Sequence, residues 1–299
     1  MKDKTQQPST AIPNQAYQLY DKYAHGMLSR RDFFTAMAGL AVNAALATTF
    51  INSMLPNYAL AQQVSFNDAD IIASYQKFAA PLGHGEGRGY LVKPKTPTAA
   101  PATVLVIHEN RGLNPYIEDV ARRLAKAGFI AFAPDALWPL GGYPGNDDDG
   151  RAMQRSLQPE KIVADLKAAA QWLKQLDGSS GKLGVVGFCF GGAMTGRLAA
   201  ELPDIVDAGV PFYGSPPTAD SISNIKAPLL VQLGELDERV NAMWPAAEAL
   251  LKQHKLDYKI EMYPASHHGF HNDSTARYNK DIAELAWQRT LAFFQQHLS

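Results

Sequence analysis

The sequence predicts an α/β protein with a mostly parallel sheet covered by helices on both faces. Two patterns carry this reading. Short apolar runs rich in β-branched residues recur between residues 102 and 264, and amphipathic segments with apolar residues three and four apart stand between them. Composition agrees, because 46% hydrophobic and 19% charged residues in a chain of 299 can bury a sizeable core.

The strands expected in order are "ATVLVIHE" (102–109), "GFIAFAPD" (128–135), "KLGVVGF" (182–188), "DAGVPFYG" (207–214), "APLLVQLG" (227–234) and "DYKIEMYP" (257–264). Each is a near-continuous apolar run, as a strand covered on both faces must be. The helices expected are "YIEDVARRLAKAG" (116–128), "EKIVADLKAAAQWLKQL" (160–176), "AMTGRLAAEL" (193–202), "WPAAEALLKQH" (244–254) and a last one over 278–297. The stretch "PLGGYPGNDDDGR" (139–151) is the most irregular and reads as a loop.

Residues 1–61 differ from the rest. "SRRDFF" (29–34) resembles the twin-arginine export signal, and a mildly apolar stretch and the small-x-small site Ala59-Leu60-Ala61 follow it. This implies a leader cleaved after Ala61, engagement with the twin-arginine export machinery, and an exported or periplasmic mature protein. The competing reading is an amphipathic N-terminal helix or a membrane anchor. Asn43, Thr48, Thr49, Asn52 and Ser53 interrupt the apolar run, so a permanent membrane span is not expected. Residues 62–299 then form one domain. A net charge of −1 does not point to a nucleic-acid partner.

The single cysteine, Cys189, cannot form an internal disulfide. It lies in "GVVGFCFGGAM" (184–194), between an expected strand and an expected helix. Gly187, Gly191 and Gly192 supply the small neighbours that a nucleophile elbow needs, where a sharp turn brings strand and helix close together. The following helix N-terminus favours a thiolate and offers N–H groups to an oxyanion. The competing reading is a small buried structural cysteine. A thiol there needs a base and a group to orient it. In chain order these are Asp237, after the strand ending "VQLG", and His268, in "ASHHGFHND" after the strand ending "EMYP". Glu235 and Glu238 compete for the acid position, and no recognisable zinc spacing surrounds the histidines of "HHGFH".

Taken together, "HENRGLN", "APDALW", "GVVGFCFGG", "GELDERV" and "YPASHHGFHND" resemble the dienelactone hydrolase (carboxymethylenebutenolidase) family over residues 85–298. The resemblance implies an α/β-hydrolase fold, no cofactor, no metal, and a Cys189–Asp237–His268 triad. It makes Glu109 the carboxylate paired with the resting thiol, and the backbone N–H groups of Asn110 and Phe190 the oxyanion hole. Asn272 stands where the family places a carboxylate-binding arginine after the catalytic histidine, which disfavours an anionic dienelactone. Arg151, Arg155, Tyr213 and Asn272 remain the candidates for substrate contact. The expected activity is hydrolysis of a carboxylic ester or lactone through a thioester. The alternatives are a non-catalytic periplasmic binding protein on the same fold, or a peptidase or acyltransferase.

Overall fold

In the computed structural model, which describes residues 12–41, 44–59, 61–97 and 99–299, all six expected strands form. Three short helices precede them, α1 (Asn14–Ala24), α2 (Arg30–Leu40) and α3 (Ala44–Met54). A hairpin the sequence patterning did not reveal follows, β1 (Ile71–Ala80) and β2 (Gly85–Pro94). The alternation then runs β3 (Thr103–Ile107), α4 (Pro115–Lys126), β4 (Ile130–Pro134), α5 (Asp147–Ser156), α6 (Pro159–Lys174), β5 (Leu183–Phe188), α7 (Phe190–Glu201), β6 (Ala208–Phe212) and β7 (Leu229–Gly234). The short α8 (Glu238–Asn241), α9 (Trp244–Gln253), β8 (Tyr258–Tyr263) and α10 (Lys280–His297) complete it.

The strands make one eight-stranded sheet in the order β1-β2-β4-β3-β5-β6-β7-β8. β1 pairs antiparallel with β2, and β2 antiparallel with β4; every later pairing is parallel. Central strands β3, β4 and β5 are buried at every position, which explains their unbroken apolar sequences. α4 and α10 pack their apolar faces on one side of the sheet, with Tyr116, Val120, Leu124 and Phe294 against Val104, Val106 and Val186. α6 and α7 cover the other, with Leu166, Leu173 and Leu198 against Leu105, Phe132 and Val185. Each such fully buried side chain contributes about 1.5–3 kcal/mol relative to exposure.

The parallel direction puts the carboxyl ends of β3, β5, β7 and β8 on one rim, where ligands collect in open α/β sheets. The first three helices lie there too. They share a small core of Tyr20, Tyr23, Phe33, Met37, Phe50 and Met54, against which Ala276 of the main domain packs. Main-chain bonds tie them down, from Asn57 N–H to Ser274 C=O (2.7 Å) and from Ala276 N–H to Ser53 C=O (3.1 Å). The stretch that resembles an export signal begins α2: Ser29 is its N-cap, accepting from Asp32 N–H at 3.1 Å, and Arg30 pairs with Asp148 at 3.0 Å. Among the described residues no helix is long and apolar enough to cross a membrane.

Candidate functional site

The last residue of β5 leads directly into a sharp turn at Cys189, whose φ of 55° and ψ of −109° place it in a region that side chains rarely adopt. The glycines around it are required by backbone crowding. A Cβ on Gly187 would lie 2.0 Å from Gly191 C=O oxygen, and one on Gly191 would lie 2.1 Å from that of Ile107. Strand and helix therefore approach as closely as a nucleophile elbow demands, and α7 starts at the next residue.

Two loops on the same rim deliver the other members. Asp237, after β7, caps α8, and His268 follows β8. His268 Nδ1 meets Asp237 Oδ2 at 2.6 Å, with both side chains buried. A ring nitrogen of His268 lies within 4.8 Å of Cys189 Sγ, and His268 Nε2 is buried with no other hydrogen-bond partner among the described residues. Burial alone would raise the Cys189 thiol, yet His268 and a second imidazole beside it lower it to about 5. Burial alone would lower His268, yet Asp237 and the thiolate raise it to about 10. Both shifts favour a thiolate–imidazolium pair over the neutral pair across the neutral range.

The second imidazole is His25, directly after α1. Its Nε2 is 3.4 Å from Cys189 Sγ, and its ring sits edge-on to that of His268 at 4.9 Å. The neighbouring main chain fills the cleft: Ala24 C=O accepts from Asn110 Nδ2 and Tyr23 C=O accepts from an Arg151 guanidinium nitrogen, both at 2.9 Å. Two cavities flank this crossing. One, of about 360 Å³, is bordered by Tyr17, Asp21, Asp237, His268 and Arg277; the other, of about 340 Å³, by His25, Asn110, Arg151, Arg155 and Phe190.

The remaining candidates fall into two groups. The backbone N–H groups of Asn110 and Phe190 make no hydrogen bond among the described residues, Phe190 being the first residue of α7. Arg155 borders the second cavity, and the Tyr213 ring packs 5.0 Å from that of His268. Glu109 is turned elsewhere: its Oε2 accepts from Asn272 Nδ2 at 2.9 Å, and the thiol's neighbours are His25 and His268. Asn272, fully buried, is spent on that bond and on accepting from the Ser274 N–H and hydroxyl.

The family model of the dienelactone hydrolases, described as "Dienelactone hydrolase family", matches residues 88–298. The chain belongs to the dienelactone hydrolase family. A second family model, described as "YqhI-like", matches residues 1–42. The chain is 58% identical over 113 residues to the hydrolase fragment YghX of Escherichia coli, covering 38% of this chain and 97% of that one. It is 35% identical over 222 residues to an Aquifex aeolicus protein assigned as a carboxymethylenebutenolidase, covering 71% of this chain and 94% of that one. A solved structure assigned as a dienelactone hydrolase from Klebsiella pneumoniae superposes with a TM-score of 0.66 at 28% identity, covering 76% of this chain and 99% of that one.

Within this dienelactone hydrolase fold, sequence reasoning missed His25, Tyr17 and Arg277. Tyr17 stacks on His267 at 4.1 Å, and Arg277 buries its guanidinium over Tyr20 with no hydrogen-bond acceptor among the described residues. Reading residues 1–61 as a removable leader left no reason to seek active-site groups there, although "YDKYAHG" holds polar aromatics that a leader does not need.

Proposed function

We propose that the protein hydrolyses a carboxylic ester or lactone with Cys189 as nucleophile, His268 as general base and acid, and Asp237 as the group that orients it. The observation that carries the reading is the buried 2.6 Å Asp237–His268 pair, set beside a cysteine at a strained elbow. The Cys189 thiolate attacks the carbonyl carbon, and the carbonyl oxygen gains the electron pair and is held by the N–H groups of Asn110 and Phe190. Collapse of this intermediate expels the alkoxide, which takes the proton from His268 Nε2 and leaves a thioester on Cys189. Water then loses a proton to His268, attacks the thioester carbon, and releases the acid and the thiolate. A panel of esters and lactones, with mass spectrometry to find the acylated Cys189, tests this reading; turnover with no acyl adduct on Cys189 overturns it.

Substrate contact is proposed for Arg151, Arg155 and Tyr213, which border or approach the cavities, and Asn272 holds its place through Glu109. Arg277 adds a buried cation to a cavity wall that also carries Asp21, Asp237 and Glu238, so the lining gives no preference for a carboxylate-bearing ester. Glu109 belongs to the proposed catalytic set as the carboxylate that the resemblance pairs with the resting Cys189 thiol, a pairing that requires Asn272 to release it and that precedes formation of the thiolate–imidazolium pair. Glu109→Gln is expected to lower kcat/KM at least about tenfold with little change in Tm, since general-base contributions run about 10²- to 10⁴-fold. Steady-state kinetics and a thermal melt on one preparation decide, and an unchanged rate removes Glu109 from the set.

Export by the twin-arginine pathway, with cleavage after Ala61, is part of the same proposal and is supported by the Ser29–Phe34 stretch. Replacing both Arg30 and Arg31 by lysine is expected to retain full-length precursor in the cytoplasm. Fractionation that finds mature protein outside at wild-type levels overturns it.

A further inference from the structure

Three side chains from distant parts of the chain aim a metal-binding atom at one spot. Cys189 ends the β5 turn, His268 follows β8 and His25 follows α1, and one such atom of each lies within 4.8 Å of the other two. Both imidazoles are anchored through the nitrogen that faces away. His268 Nδ1 meets Asp237 Oδ2 at 2.6 Å, and His25 Nδ1 meets Asp21 C=O oxygen at 2.8 Å with the Asp21 carboxylate 3.2 Å away. Metal-ligating histidines are held this way, because a donated Nδ1–H fixes the tautomer and directs the Nε2 lone pair forward.

His268 Nε2 is buried, its side chain only 5% exposed, and it has no hydrogen-bond partner among the described residues other than the neighbouring thiol. Arg239 reaches the cluster through His25 Nε2 at 2.9 Å and Asp21 Oδ2 at 3.2 Å.

The donor set is soft and borderline, one thiolate and two imidazoles, as zinc prefers. Zinc bonds of about 2.3 Å to sulfur and 2.0–2.1 Å to nitrogen place tetrahedral ligands about 3.4–3.6 Å apart. Cys189 Sγ and His25 Nε2 already stand 3.4 Å apart. The wider separations in the cluster, at most 4.8 Å, must close by about 1 Å. Arg239 must leave His25 Nε2, and its side chain, 36% exposed, has room to do so while its Nε stays on Asp21.

We propose that the full chain, before the removal of residues 1–61 proposed above, binds one zinc ion between Cys189, His25 and His268, with the fourth position open to water. Binding is coordination only: the proton shared by the thiol–imidazole pair is released to solvent, and no electron is transferred. Because His25 belongs to the N-terminal helices and the other two ligands to the hydrolase domain, the ion clamps those helices over the cleft and takes the thiolate out of reach of a carbonyl. The inference uses two residues of the proposed mechanism but does not rest on hydrolysis, and its readout is spectroscopic.

The test titrates metal-free full-length protein with Co²⁺, following the near-ultraviolet thiolate-to-cobalt charge-transfer band, and measures bound Zn²⁺ after dialysis. One equivalent of zinc and a charge-transfer band that zinc abolishes are expected. His25→Gln is expected to weaken zinc at least about 100-fold and Asp21→Asn about 10- to 100-fold, the range for loss of a supporting partner. Cys189→Ser is expected to remove the band. Less than stoichiometric zinc, cobalt bound without a thiolate band, or zinc held as tightly by His25→Gln and Asp21→Asn as by the parent overturns the site, whatever the fate of the ester assay.

Discussion

Cys189→Ala is expected to lower kcat/KM for an activated ester by at least about 10⁴-fold, while the protein melts within a few degrees of the parent near pH 5 and falls further below it as pH rises and the parent's thiolate forms. The rate estimate follows from what loss of a covalent nucleophile costs, since the remaining oxyanion donors and base cannot form the thioester. The stability estimate follows from the elbow. Alanine keeps the Cβ, so the strain of φ 55° is unchanged, and only one sulfur atom of packing is lost. The ion pair adds a pH dependence. The folded thiol titrates below its ordinary value, so its contribution is full above that ordinary value and is lost as pH falls through about 5. His268, raised to about 10, contributes below its ordinary value and loses that contribution as pH rises through about 10. Hydrolysis assays and thermal melts on the two proteins check this. Retained turnover in Cys189→Ala would return the thiol to a structural role.

What the sequence made legible follows from how directly burial writes itself into residue choice. β3 to β7 are buried at every position, so each appeared as an apolar run with its boundaries nearly in place. β1 alternates exposed and half-covered residues along most of its length, with Ser74, Gln76 and Lys77 among them, and the buried apolar run of its partner β2 is only Tyr90-Leu91-Val92, flanked by Gly89 and Lys93. α5 was hidden in the stretch read as a loop, because its first turn is Asp147, Asp148 and Asp149, residues that favour a helix N-terminus yet resemble a turn when no apolar face follows. The proposed triad was legible for another reason: a nucleophile at a crowded elbow forces glycines at fixed offsets, and its acid and base come from later strand ends. Glu109 shows the limit of that logic, since sequence gives its place at the end of β3 but not the Asn272 amide that its carboxylate faces. The contacts of His25, Tyr17 and Arg277 depend on how the first helices dock, and no local pattern encodes that.

Asp237→Asn is expected to lower kcat about 10³- to 10⁴-fold and to move the alkaline limb of the pH–rate profile to lower pH. The carboxylate does two jobs through one 2.6 Å contact with His268 Nδ1. It fixes the tautomer that leaves Nε2 toward the thiol, and it stabilises the imidazolium that must hold a proton for the leaving group. An asparagine amide that presents its NH₂ to Nδ1 stabilises the opposite tautomer, which accounts for most of the rate loss. The pH effect has its own sign. Burial lowers the His268 pKa, and Asp237 is the foremost of the groups that raise it to about 10. Without that charge the imidazolium loses its proton at a lower pH, and the active ion-pair form disappears earlier as pH rises. The acid limb is set by the Cys189 thiol, which His268 holds low only while it is protonated, so the thiol's titration moves upward as the imidazolium weakens. The pH window of activity therefore narrows from both sides. A carboxylate that merely held the α8 turn would reduce Tm and leave both limbs in place, so kcat measured across pH, with a melt at each pH, separates the two roles.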